Sequence, residues 1–142
     1  MTIAVILGTK GHDVVSIASD ISVGDAVRLL AERRIGAVPV IDGGQVVGVF
    51  SERDVIRGLA EIGPAALERS VQDTMTAPAM TVSPNEPVLG ALSLMTQRRI
   101  RHLPVIEGDA LIGIVSIGDL VKHRIDRIES EAAAMRDYIQ QV

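Results

Sequence analysis

Arg33-Arg34-Ile35-Gly36-Ala37-Val38-Pro39-Val40-Ile41 recurs as Arg98-Arg99-Ile100-Arg101-His102-Leu103-Pro104-Val105-Ile106. Shared residues are displaced by 65 positions, as Arg33 is to Arg98 and Pro39 to Pro104. The register holds without a gap from Val23/Val88 through Ala26/Ala91, Leu29/Leu94, Gly43/Gly108, Gly48/Gly113 and Ser51/Ser116 to Asp54/Asp119. The chain is one unit written twice, and polar residues repeat along with the apolar frame. A duplicated polar position is a candidate site.

Within the first copy, Val14 to Ala18 reads as a short strand, and Ser22 with Asp25 three residues later opens a helix with the apolar stripe Val23, Ala26, Val27, Leu29 and Leu30. The helix ends near Arg34. Val38 to Ile41 is apolar and largely β-branched, and Asp42-Gly43-Gly44-Gln45 predicts a hairpin turn into Val46 to Phe50. Ser51 then caps a second helix carrying Val55, Ile56 and Leu59, and the second copy follows the same order with Pro87 in its first helical turn. Each copy reads β-α-β-β-α, so the predicted fold is α+β. Residues 1–62 form the first repeat with an N-terminal lead-in, in which Gly8-Thr9-Lys10-Gly11 reads as a turn; 63–78 form a connector, helical from Ala65 to Met75. Residues 79–124 form the second repeat. From Val121 the apolar residues Ile125, Ile128, Ala132, Met135, Ile139 and Val142 follow at alternating spacings of 4 and 3, so 125–142 is expected to be an amphipathic helix with a heptad seam.

At 142 residues each half is near the lower size limit for independent folding, and the halves are expected to share one core. That core must be Val, Ile, Leu and Ala, because the chain has one Phe, one Tyr and no Trp. Stacking of bases on aromatic platforms is therefore excluded, and a net charge of −4 disfavours general nucleic-acid binding. Arg supplies twelve of the fourteen basic residues, which leaves local phosphate contacts open. The absence of Cys excludes disulfides, thiolate metal sites and thiol nucleophiles. His12, His102 and His123 have no metal-ligand spacing, so no metal is expected, and neither Ser51 nor Ser116 has a base matched to it in sequence, so no enzymatic activity is expected. No basic leader and no apolar run long enough for a membrane span is present, so the expected setting is cytoplasmic, without membrane contact.

Two Ile-x-x-[Val/Leu]-Pro-Val-Ile segments and two Gly-x-x-Ser-x-x-Asp segments, Gly48 to Asp54 and Gly113 to Asp119, resemble the tandem cystathionine-β-synthase (CBS) domain pair, or Bateman module, over nearly the whole chain. The resemblance implies two repeats related by a pseudo-twofold axis. It also implies an adenosyl-ligand sensor without catalysis or catalytic cofactor, binding AMP first of all, or ADP, ATP, NAD(H) or S-adenosylmethionine, in clefts between the repeats.

Ser51 and Asp54, like Ser116 and Asp119, fall at the cap and third position of a helix, where free N–H groups and the helix dipole favour an anion. An ionised Asp only accepts hydrogen bonds and can take both hydroxyls of a ribose. If the clefts are crossed as the resemblance implies, one joins Val49, Ser51, Arg53 and Asp54 to Ile100, Arg101 and His102. The other joins Ile114, Ser116 and Asp119 to Ile35, Gly36 and Ala37. Arg101 and His102 suit the first to phosphate; Gly118 stands where the first has Arg53, so the second is expected to prefer a neutral adenosyl group or stay empty. A single Ser-x-x-Asp reads equally as a helix cap worth roughly 1 kcal/mol. Arg33-Arg34 and Arg98-Arg99 are expected to serve helix C-termini. The expected partners are an adenosyl ligand, a second copy of the chain held through the heptad helix, and a regulated protein. The competing readings are a structural dimerisation module with vestigial clefts and a nucleic-acid-binding regulator.

Overall fold

The computed structural model describes residues 1–141; Val142, the last member of the expected seam, lies outside them. Helix α1 (Ile3–Lys10) precedes the first repeat, which contains α2 (Val23–Arg33), β1 (Ala37–Asp42), β2 (Gln45–Ser51) and α3 (Glu52–Ile62). The second repeat contains α4 (Val88–Arg98), β3 (His102–Glu107), β4 (Ala110–Ser116) and α5 (Ile117–Gln140). Each hairpin is an antiparallel two-stranded sheet, and the registers match residue for residue, including a bulge after Val40 and another after Val105. Gly43 and Gly44 both take positive φ, which a tight hairpin turn needs and other residues resist.

The leading strand of each repeat is reduced to a single parallel bridge, Ile17 to Val40 and Val82 to Val105. Ile17 donates to the Pro39 carbonyl and accepts from Ile41 N, but Pro39 has no N–H with which to extend the ladder toward Val15. Pro104 stops the second copy in the same way, with Val82 donating to its carbonyl. The connector is not one helix. It holds two short 3-10 helices, Gly63–Glu68 and Val71–Asp73, separated where the Arg69 carbonyl accepts from Val23 N and Ser70 bridges Ser22. That backbone is committed to the first repeat and cannot close an α-helical ladder.

Two buried clusters replace the expected shared core. Ile17, Val23, Ala26, Leu30, Val38, Val40, Phe50 and Val71 fill the first repeat. Ile3, Ile6 and Leu7 join Val88, Ala91, Met95, Leu103, Val105, Val115 and Leu120 in the second. The N-terminal lead-in thus belongs to the second repeat, and Gly8 to Lys10 form the end of α1 rather than a turn, with Gly11 at φ 101 stopping the helix. Each repeat is too small to close alone and borrows a covering segment. Met1 to Leu7 does for the second repeat what Arg69 to Met75 does for the first. Val88 N donates to the Met1 carbonyl as Val23 N does to that of Arg69, and Thr2 bridges Pro87 as Ser70 bridges Ser22.

Helix α5 contains 24 residues, roughly 36 Å. Leu120 is its buried anchor, while Ile125, Ile128, Met135, Tyr138 and Ile139 are exposed. Among the described residues, no helix is long and apolar enough to cross a membrane.

Candidate ligand clefts between the repeats

Strands β2 and β4 deliver Ser51 and Ser116 to the starts of α3 and α5, where both capping boxes form. The two copies then diverge. Asp54 is 2% exposed and heavily engaged: Oδ2 accepts from Ser51 N at 2.9 Å and Ser51 Oγ at 3.2 Å, while Oδ1 accepts from Thr76 Oγ1 at 3.0 Å and pairs with Arg57 at 3.5 Å. Asp119 keeps a side-chain exposure of 28%, and its Oδ2 accepts from Ser116 N at 2.9 Å and from Lys10 Nζ at 2.6 Å. Asp119 N donates to Ser116 Oγ at 3.1 Å. Lys10 Nζ also donates to the Ile114 carbonyl at 2.8 Å, much as Thr76 N donates to that of Val49 in the first copy.

Each Ser-x-x-Asp start lies against its own repeat's first strand. Ser51 pairs across the hairpin with Ala37, and Ser116 with His102. Glu52 N donates to the Gly36 carbonyl and Ile117 N to that of Arg101. Strand β2 touches β4 across the junction, and two further contacts between the repeats bear on the predicted clefts. The Arg53 guanidinium donates to the Arg99 carbonyl, next to Ile100. A Cβ on Gly36 would sit 3.4 Å from His102 Cε1 and 3.5 Å from Glu52 Oε1. Residues assigned from sequence to separate clefts are therefore neighbours, Gly36 of one lying beside His102 of the other. Ile35, Val49, Ile100 and Ile114 are half-buried, Arg53 and Arg101 are exposed, and direct hydrogen bonds from Ser51 or Asp54 to residues 100–102 are absent among the described residues.

Arg34 and Arg99 stand at the C-terminal ends of α2 and α4, both in the left-handed conformation that closes a helix. The Arg99 carbonyl is thereby presented to Arg53. At His102, burial is the main cause that pushes the pKa down, helped by Lys10 and opposed by the Asp119 and Glu52 carboxylates. Burial pushes Asp119 up, but the hydrogen bonds from Lys10 and Ser116 overcome it and hold its pKa below the usual carboxylate value.

Sequence reasoning missed Lys10, Thr76, Arg57 and Glu52. Thr76 and Lys10 lie outside the 65-residue register, since the covering segments are related by a different offset, Met1 matching Arg69. A faint signal exists in the chemically similar pairs Thr2/Ser70, Ile3/Val71 and Leu7/Met75.

Two α-β-β-α repeats, each led in by a single parallel bridge and with capped helix starts flanking a common junction, define the class as a paired-repeat module. The chain belongs to the CBS domain family, whose pattern it matches over residues 9–61 and 70–126. It is 37% identical over 127 residues to the mitochondrial CBS domain-containing protein CBSX3 of Arabidopsis thaliana, covering 86% of this chain and 62% of that protein. The CBS-domain-containing protein ATU1752 of Agrobacterium tumefaciens superimposes with a TM-score of 0.85 at 41% identity, over 87% of this chain and 99% of that one. The CBS domain pair of MJ0100, solved with 5′-methylthioadenosine and S-adenosyl-L-methionine, superimposes with a TM-score of 0.79 at 23% identity, over 89% of this chain and 98% of that one.

Proposed function

We propose that this chain is a regulatory module that binds an adenosyl ligand, AMP foremost, in the clefts beside Ser51/Asp54 and Ser116/Asp119, and passes the occupied state to a partner protein. The observation that carries the reading is the duplicated helix start at a common junction. It places N–H donors, an acceptor carboxylate and the cationic side chains Arg53, Arg101 and Lys10 around half-buried aliphatic residues. That chemistry matches adenine, ribose and phosphate in turn. The fold accommodates two adenosyl compounds in MJ0100. We further propose that a second copy pairs with this one through the exposed apolar face of α5.

The test is calorimetric titration of protein refolded free of copurified ligand with AMP, ADP, ATP, NADH and S-adenosylmethionine, together with mass spectrometry of the supernatant from denatured native protein. Saturable binding of one of them supports the sensor. Flat titrations and an empty supernatant favour the alternative of a dimerisation module whose clefts are vestigial, a reading to which the heavily engaged Asp54 lends support.

A further inference from the structure

We propose that Lys10, carried by the N-terminal helix that covers the second repeat, is the specificity-determining residue of the Asp119 cleft and makes that cleft select adenosyl ligands bearing an anionic 5′ group. The proposal rests on the adenosyl-binding reading above and reverses the charge expected of this cleft from the repeats alone. The duplicated register offers it only Gly36, Ala37 and Gly118, none of them charged.

Lys10 Nζ lies 2.6 Å from Asp119 Oδ2 and 2.8 Å from the Ile114 carbonyl, two residues the sequence assigns to this cleft. An ammonium has three donors, and these contacts use two. The corresponding covering segment of the first repeat supplies Thr76, a neutral hydroxyl, to Asp54. The inequality extends to the carboxylates: Asp54 is buried with both oxygens bonded, whereas Asp119 is 28% exposed and is held through Oδ2.

A ribose that engages Asp119 Oδ2 must displace Lys10. The displaced ammonium then needs another anion within reach of its flexible four-carbon stem. A 5′-phosphate brings one, so the ion pair is exchanged rather than lost, and Arg101, which with Lys10 lowers the pKa of His102, adds to the same positive field. Adenosine leaves Lys10 unpaired. S-adenosylmethionine puts its sulfonium cation next to the ribose, with its one carboxylate farther out and balanced by an ammonium, so its net positive charge makes it the poorest fit of the three. Selection thus follows from the charge a ligand carries.

The experiment is calorimetric titration of the full chain, freed of ligand, with AMP, adenosine and S-adenosylmethionine, for wild type, Lys10→Met, Lys10→Arg and Asp119→Asn. Loss of a charge-assisted hydrogen bond should weaken AMP binding about tenfold or more in Lys10→Met. Adenosine should be unchanged or tighter, S-adenosylmethionine tighter, and Lys10→Arg should keep the wild-type order. The effect of Lys10→Met should be confined to the binding event that Asp119→Asn removes. An unchanged AMP-to-adenosine ratio in Lys10→Met overturns the proposal. So does tighter binding of all three ligands, which would make Lys10 a plug. Wild-type protein that binds none of the three overturns the adenosyl reading itself. Lys10 is 36% exposed, so Lys10→Met should fold normally, and an unaltered unliganded melting temperature checks that.

Discussion

A Cβ on Gly113 would sit 2.6 Å from Leu7 Cδ2, a residue more than a hundred positions away in sequence. Its counterpart, a Cβ on Gly48, would meet Met75 Sδ at 2.7 Å and the Thr76 carbonyl at 2.8 Å. The duplicated glycines are therefore places where a covering segment lies directly on a strand.

Gly48→Ala and Gly113→Ala should both destabilise through overpacking, by about 1–3 kcal/mol. Gly48→Ala should cost more, because Thr76 is met at its backbone whereas Leu7 presents the end of a flexible side chain. Urea unfolding of both variants measures the difference, and the reverse order would contradict this packing.

Leu7→Ala removes a side chain that is 1% exposed and should cost about 2–5 kcal/mol. Because Leu7 packs in the second cluster alone, hydrogen exchange should quicken in β3 and β4 before β1 and β2. Uniform loss of protection would mean that the two clusters unfold as one.

Asp54→Ala should destabilise by on the order of 1–3 kcal/mol, since it empties a buried position and leaves the half-buried Ser51 N without its acceptor. Asp119→Ala removes a capping interaction and a partly exposed ion pair and should cost roughly 1 kcal/mol. Ligand binding should respond the other way round, with Asp119→Ala the more damaging. Thermal melts with and without AMP separate the two effects.

His102 should titrate below its ordinary value near 6.5 when followed by its imidazole proton resonances. A base whose folded pKa is lowered leaves the folded state with fewer bound protons than the unfolded chain. Its contribution to stability is thus fully present above about 6.5 and is lost as pH falls from there through the folded pKa. Asp119, also lowered, contributes above the unfolded carboxylate pKa near 3.9, and that contribution is lost as pH falls through its folded pKa. Lys10→Met should raise the His102 pKa, because it removes one cation that lowers it and leaves the Asp119 and Glu52 carboxylates less opposed. Asp119→Asn should lower it further. Equal values in all three proteins would place His102 outside this charge cluster.

Ile128→Glu combined with Met135→Glu places two charges on the exposed face of α5, where those residues are 49% and 59% exposed. Burying them in a helix pair should weaken a homodimer by several kcal/mol while leaving each module folded. Sedimentation equilibrium reads the outcome. An unaltered dimer would assign pairing to another surface, such as the apolar groove of Val27, Leu30, Ile35, Val55 and Ile56 between α2 and α3.

The sequence by itself determined the duplication, the hairpins, the capped helices and the long terminal helix, because each depends on neighbours a few residues apart: Ser22 on Asp25, Gly43 on Gly44, Ser116 on Asp119. It also indicated the family, since the 65-residue register carries polar and apolar positions together. The tertiary structure alone decided that Met1 to Leu7 closes the second repeat, that the core is two clusters, and that the paired aspartates are unequal. Asp54 and Asp119 are the same residue in the same local motif; one is buried under Thr76 and the other is half-open under Lys10. Those partners come from covering segments with little sequence likeness, because a segment that need only present an apolar face and a few backbone groups can do so with many sequences.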